Sequence, residues 1–150
     1  VTHAAAASAG QFVTLLLADQ LFGIPVLQVH DILREQPVTR IPLASPEIAG
    51  SLNLRGRIVT AIDLRRRLRL PQAAQYASKM SVVTEREGDL YALIVDQVCD
   101  VLTPDGAQFE RNPLTLMPDR ARYCAGLYRM ETSLMLVLDL DRVLTLAWEA

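Results

Sequence analysis

Phe22–Leu33 reads FGIPVLQVHDIL and Tyr91–Leu102 reads YALIVDQVCDVL. Aligned without a gap, Val26, Gln28, Val29, Asp31 and Leu33 coincide with Val95, Gln97, Val98, Asp100 and Leu102. Phe22, Ile24 and Ile32 face Tyr91, Leu93 and Val101. A second pair follows in the same order. Gly50–Leu68 (GSLNLRGRIVTAIDLRRRL) and Gly126–Leu144 (GLYRMETSLMLVLDLDRVL) share a Gly, an Asp-Leu, an Arg and a Leu: Gly50, Asp63, Leu64, Arg66 and Leu68 against Gly126, Asp139, Leu140, Arg142 and Leu144. Ile58 and Ile62 face Leu134 and Leu138. The identities include polar positions that a core does not dictate. The chain therefore reads as two copies of one β-rich unit of about 65 residues. Each copy is too small to hold much core alone, so the two are expected to pack side by side into one body.

Working outward, short apolar runs alternate with polar turns. Phe12–Ala18 and Phe22–Leu27 flank Asp19-Gln20 and predict a hairpin, with Pro25 placing the second strand at an edge or a bend. Met80–Thr84 and Leu90–Val95, around Glu85–Asp89, predict another, and Tyr123–Met130 with Leu134–Leu138 a third. Ile58–Ile62 is a strand by its β-branched content. Helical signals are brief: Leu27–Arg34, a turn near Pro46–Ile48, Leu64–Leu68 and Asp139–Ala147. Asp63 and Asp139 are placed to cap the last two by accepting from free N–H groups. The predicted class is mainly β, built from two small barrels or sandwiches with short helices. The expected organisation is a disordered tail over 1–10 and one domain over 11–150, its first half about 11–75 and its second about 80–146.

Composition narrows the function. The 150 residues are 51% hydrophobic and 21% charged, which excludes a disordered chain. Cys99 and Cys124 permit one bridge at most, and no apolar run is long enough for a spanning helix. VTHAAAASAG at the start lacks the basic and apolar regions of an intact signal peptide. The net charge is −2, which argues against general polyanion binding, but it is unevenly spread. Residues 1–50 are net −2, residues 51–80 net +6 and residues 81–150 net −6. That asymmetry suits an interaction module with distinct faces, or a solvated basic loop.

Signs of catalysis are sparse. His30 is the one His outside the tail, and no CxxC or HxxxH spacing occurs, so no metal site is expected. Cys99 falls in the other copy from His30, and packing is the expected role of both cysteines. Asp96 with Asp100, and Asp139 with Asp141, read as structural rather than as acid–base pairs. No nucleotide-binding glycine motif appears, and no cofactor is expected. Arg65, Arg66, Arg67 and Arg69 raise nucleic-acid binding, but 51–75 contains no aromatic residue to stack bases. The turn with character is Asn53-Leu54-Arg55-Gly56-Arg57, a hairpin tip from which Arg55 and Arg57 project for recognition.

Phe22–Val26, Val29–Ile32, Val38–Pro42, Gly50, and above all Asn53-Leu54-Arg55-Gly56 followed by Ile62-Asp63-Leu64-Arg65, resemble the CheW family. Asp96–Val98, Val101-Leu102 and Leu138–Arg142 extend the resemblance into the second copy, so that it covers about 11–146. The resemblance implies two intertwined SH3-like five-stranded β-barrel subdomains around a shared core, internally duplicated. It implies a non-enzymatic cytoplasmic adaptor without cofactor, metal or membrane insertion. Such an adaptor couples methyl-accepting chemoreceptor cytoplasmic tips to the regulatory domain of a CheA-type histidine kinase, in arrays on the inner face of the membrane. Self-association in rings is a further expectation. The alternatives are the regulatory domain of such a kinase, an adaptor of a twitching or surface-sensing pathway, a small enzyme using the Arg55 turn for an anion, or an RNA-binding double barrel.

By the same resemblance, Val29 and Asp31 are receptor-facing, and Arg55 lies in the NLRG turn with Asn53 and Gly56. Family members usually carry Glu at the position of Asp31, so the shorter Asp is expected to pair with Arg55 loosely or through water. Thr60 stands where Pro is common, which restores a backbone donor to its strand. Gly50 is expected at a close strand approach, Gly56 in the turn, and Arg57 beside Arg55 on the recognition surface. Leu134 and Met135 are candidates for a kinase-facing apolar patch, with a core role expected for at least one of them.

Overall fold

Among the residues that the computed structural model of the chain describes, 10–71, 79–111 and 121–145, eleven strands and two short helices carry the repeat. The strands are β1 Phe12–Leu17, β2 Gln20–Pro25, β3 Val29–Arg34, β4 Ile48–Leu54, β5 Arg57–Asp63, β6 Met80–Arg86, β7 Asp89–Val95, β8 Gln97–Leu102, β9 Phe109–Glu110, β10 Cys124–Arg129 and β11 Leu134–Leu138. The helices are α1 Leu64–Arg67 and α2 Leu140–Leu144. The expected tail up to Ser8 and Ala9, and the C-terminal end of the predicted last helix beyond Thr145, lie outside the described residues.

The copies do not sit side by side. One sheet runs β8-β1-β2-β11-β10-β9 and the other β3-β6-β7-β5-β4. Each sheet thus joins the first hairpin of one copy to the remaining strands of the other, β3, β4 and β5 in the five-stranded sheet and β8, β9, β10 and β11 in the six-stranded one, the intertwining the resemblance implied. The registers repeat as well. Phe12 opposes Pro25 as Ser81 opposes Ile94. The exchange is sealed by parallel pairs, Thr60 with Tyr91 in one sheet and Leu136 with Phe22 in the other. Gly50 and Gly126 both follow a bulge in their hairpins. Even the sixth strand belongs to the pattern. β9 pairs Glu110 with Leu127, and at the equivalent place a single bridge pairs Thr39 with Ser51.

Both faces of the central strands are buried, which explains why their sequences are almost continuously apolar. Along β7, Tyr91 and Leu93 enter the large shared core, while Leu90 and Ala92 enter a smaller one with Leu52, Val59, Ala61 and Val83. Along β11, Leu136 and Leu138 enter the shared core, while Met135 and Val137 join Phe12 and Tyr128. Each sheet therefore wraps its own small core and turns its other face to the common one. At the first hairpin the turn is Ala18-Asp19, with φ of 49° and 66°, one residue earlier than the sequence predicts. The equivalent turn is Glu87-Gly88, with φ of 54° and 85°. Both have the twist that two-residue hairpins favour.

One sequence expectation is corrected and another narrowed. Leu27–Arg34 is a 3-10 turn over Val26–Gln28 followed by strand β3, not a helix. Its apolar residues satisfy either period, but alternation wins: side chains in β3 are half-buried and exposed by turns. Of the two places expected for Pro25, the edge is excluded and the bend holds: β2 is interior, between β1 and β11, and Pro25 is its last residue, where the chain turns into the 3-10 turn. The helix caps are as expected. Asp63 accepts from the Arg66 N–H at 3.2 Å and Asp139 from the Arg142 N–H at 3.3 Å.

Candidate functional site

β3 and β4 are opposite edges of the five-stranded sheet. Yet Asp31 on β3 meets Arg55, in the turn between β4 and β5, at 3.0 Å between carboxylate and guanidinium. The sheet is therefore curled until its edges face one another, and the ion pair spans the gap. The contact is direct, which corrects the expectation of a looser or water-bridged pair. Asp31 keeps its second oxygen on the backbone N–H of Ile32 at 2.8 Å. That backbone bond, then the Arg55 guanidinium, holds the carboxyl below the usual aspartate range.

The turn is locally determined. Arg55 and Gly56 both have positive φ, 51° and 85°, and the Asn53 side-chain oxygen accepts from the Gly56 N–H at 3.0 Å. Asn and Gly supply what a two-residue hairpin needs. Arg55 is 74% exposed, and Arg57, two residues on, reaches the Gly88 carbonyl at 3.4 Å. Gly50 lies further along β4, paired with Ala61 and buried, with φ of 149°; a Cβ there would meet the Thr39 carbonyl oxygen at 2.2 Å. The structure thus gathers Asp31, Asn53, Arg55, Gly56 and Arg57 at one end of the sheet, with Val29 half-buried at the start of β3.

It does not bring Leu134 and Met135 to a common surface. Met135 has no exposure and packs under Gly23, so it offers no face to a kinase. The reason is the alternation in β11, which aims Met135 into the small core. Leu134 is half-buried against the shared core. Sequence reasoning missed Ile58, 71% exposed beside Arg57, and the equivalent pair Ile32 and Val101, exposed by 40% and 53%. All three sit within β-branched or apolar runs that read as core, so composition holds no signal for them.

The basic middle is largely neutralised within the molecule. Arg65 pairs with Asp96, Arg66 with Asp63 and Arg67 with Glu47. Arg67 also donates to the carbonyls of Val143, Arg142 and Thr145 at the end of α2 and lies 4.8 Å over the Tyr123 ring. Arg65, through Asp96, and Arg67, through α2 and Tyr123, are struts between copies rather than a phosphate-binding face, whereas the pairs with Asp63 and Glu47 lie within the first copy. No disulfide joins Cys99 and Cys124, and burial pushes the Cys99 thiol up. Among the described residues no cluster of His, Cys, Asp and Glu can hold a metal, and no helix is long and apolar enough to cross a membrane.

The profile of the CheW-like domain matches residues 11–147. The chain belongs to the CheW-like family. Among its relatives, the chemotaxis protein CheW of Klebsiella aerogenes is 30% identical over 97% of this chain and 88% of its own. That of Bacillus subtilis is 29% identical over 89% and 86%, and that of Treponema pallidum 28% over 89% and 81%. The crystal structure of the scaffolding protein CheW from Thermoanaerobacter tengcongensis superposes with a TM-score of 0.83, covering 93% of this chain and 94% of that one at 24% identity. The duplicated, strand-exchanged pair of sheets is thus the CheW-like fold.

Proposed function

We propose that this CheW-like chain is a non-enzymatic adaptor of a bacterial chemosensory array, acting in the cytoplasm. It couples chemoreceptor tips to a CheA-type histidine kinase. The observation that carries the reading is the Asp31–Arg55 pair, set in an NLRG turn within a chain that matches the family from end to end of its repeat. Asp31 holds the long Arg55 side chain in place, and Asn53, Arg57 and the exposed Ile58 surround it. Charged groups pre-set around an exposed apolar residue give a contact orientation and register. Val29, Asp31, Gly50, Asn53, Arg55, Gly56 and Arg57 form or support the receptor-facing side. The kinase-facing side lies elsewhere, and half-buried Leu134 is the remaining candidate there. Weak single contacts suffice where many copies act together, and self-association in rings fits that use.

The test is titration of the purified chain against the regulatory domain of a CheA-type kinase and, separately, against a receptor cytoplasmic fragment. Saturable one-to-one binding to the kinase domain supports the adaptor reading. A folded chain that binds neither contradicts it.

A further inference from the structure

In the arginine run at the end of α1, Arg65 and Arg67 are engaged as struts, but Arg69 is not. Among the described residues no carboxylate pairs with Arg69 and no group accepts from its guanidinium. Yet Arg69 occupies a position that arginine fills at a cost in stability. Leu68 caps α1, and Arg69 follows with φ of 58°, in the left-handed region. Its N–H donates to the Arg66 carbonyl at 3.1 Å, and the Leu70 N–H donates to the Arg65 carbonyl at 2.8 Å. This is a Schellman helix end, whose left-handed residue is most often glycine. The equivalent residue after α2, Thr145, is extended instead, with φ of −79° and ψ of 91°. Backbone strain kept at an exposed residue points to a use for its side chain.

Arg69 lines a pocket of about 400 Å3 together with Arg66, Pro46, Leu70 and Tyr123. Tyr123, from the second copy, is only 7% exposed, and its hydroxyl makes no hydrogen bond among the described residues. That hydroxyl is not among the sealed, unpaired side-chain atoms of the core, so it opens on the pocket. Arg66 touches Asp63 through Nε, at 3.5 Å, and its terminal nitrogens have no partner among the described residues. The Arg65 and Arg66 carbonyls at the end of α1, which would repel an anion, are occupied by the two N–H groups of the helix end. Glu47, the carboxylate of the pocket, is held by Arg67 at 3.3 Å. What remains is two guanidinium forks and a hydroxyl, a donor set for an oxyanion. A water takes about 30 Å3, so the pocket has room for more than the anion itself.

We propose that this pocket binds the terminal phosphate of a small phosphate monoester. Its oxygens accept from Arg66, Arg69 and the Tyr123 hydroxyl, and its organic part lies against Pro46 and Leu70. A phosphate suits the donors better than a carboxylate does, since it presents three terminal oxygens and a charge of about −1.5 to −2 at neutral pH. The pocket shares no residue with the proposed receptor-facing side or with Leu134, so either reading can fail without the other.

The test is isothermal titration of the chain at low salt and about pH 7.5, where the phosphate is a dianion, with phenyl phosphate, inorganic phosphate and benzoate. Phenyl phosphate is expected to bind at one site with a Kd of about 1 mM or tighter, and the other two at least about tenfold more weakly. Arg69→Gly is expected to weaken binding at least about tenfold and yet to raise the melting temperature, because glycine suits the left-handed position. An arginine with only a structural role would not give both. Tyr123→Phe keeps the ring under Arg67 and is expected to weaken binding about threefold to tenfold. A Kd weaker than about 1 mM, or unchanged affinity in either variant, overturns the proposal. Equal affinity for benzoate makes the pocket a general carboxylate site and also overturns it. Equal affinity for inorganic phosphate assigns the pocket to the free anion and overturns the ester.

Discussion

Gly23 and Met135 in one copy-pair stand where Ala92 and Val59 stand in the other. A Cβ on Gly23 would lie 2.7 Å from the Met135 sulfur, so the larger thioether has taken the room of the missing methyl. Gly23→Ala is therefore expected to cost about 1–3 kcal/mol by overpacking. Met135→Val in the same chain recreates the Ala92–Val59 arrangement and is expected to recover most of the loss. Urea denaturation of the two single variants and the double one checks the coupling. Gly50 has no such remedy. Its φ of 149° and the Thr39 carbonyl oxygen both oppose a side chain, and Gly50→Ala is expected to cost more than about 2 kcal/mol by the same measurement. A fall in receptor binding in that variant would then report lost structure rather than a lost contact. Arg55→Ala is the contrasting case: an exposed ion pair contributes about 0–1 kcal/mol, so its melting transition is expected to move little. The need for Gly50 and Gly56 is visible in the sequence as glycines at turn-like places. The direct reach of Asp31 to Arg55 is not, because it depends on how tightly the sheet curls.

At the scale of elements, the ion pair of Arg65 and Asp96 ties the start of α1 to the turn between β7 and β8. The Arg65 guanidinium holds Asp96 below the usual aspartate range, helped by the Ala18 N–H and opposed by burial. Asp96 raises the pKa of Arg65 in turn. A carboxyl whose folded pKa is depressed contributes stability above its unfolded pKa, about 3.9, and loses it as pH falls through the folded value. Asp96→Ala is expected to cost about 2 kcal/mol at neutral pH, since it strips a charged hydrogen-bond partner from a mostly buried Arg65. The gap between wild type and variant is expected to close as pH falls below about 4 and through the lowered folded value, read from urea midpoints across pH. The three hairpins and both capped helices were legible because turn chemistry and caps are local. β3 was not, since VLQVHDIL meets both the helical and the strand period and only its neighbour β6 decides. The role of Asp96 was hidden for the same reason: its partner is distant in sequence, and charge counting saw only an arginine run.

The molecule as a whole is an exchange of strands between two copies. The repeat announced the copies, but identical units side by side and identical units interleaved leave the same trace in a sequence. The strand pairs that cross between copies, β5 with β7, β11 with β2, β3 with β6 and β1 with β8, distinguish them. A consequence is that neither half holds a complete sheet. Fragments 11–75 and 79–146 are each expected to show no cooperative unfolding, and to regain it when mixed, as read by circular dichroism. Independent folding of either half would refute the interleaved architecture. The adaptor reading also belongs to this scale, because coupling needs two partners on one rigid body.

Its most direct test is reconstitution of the CheA-type kinase with receptor-bearing membranes, reading autophosphorylation with and without the chain. The account predicts that receptor control of the kinase appears only when the chain is present, and that folded Arg55→Ala fails to supply it. A kinase rate indifferent to the chain, or full coupling by Arg55→Ala, would contradict it.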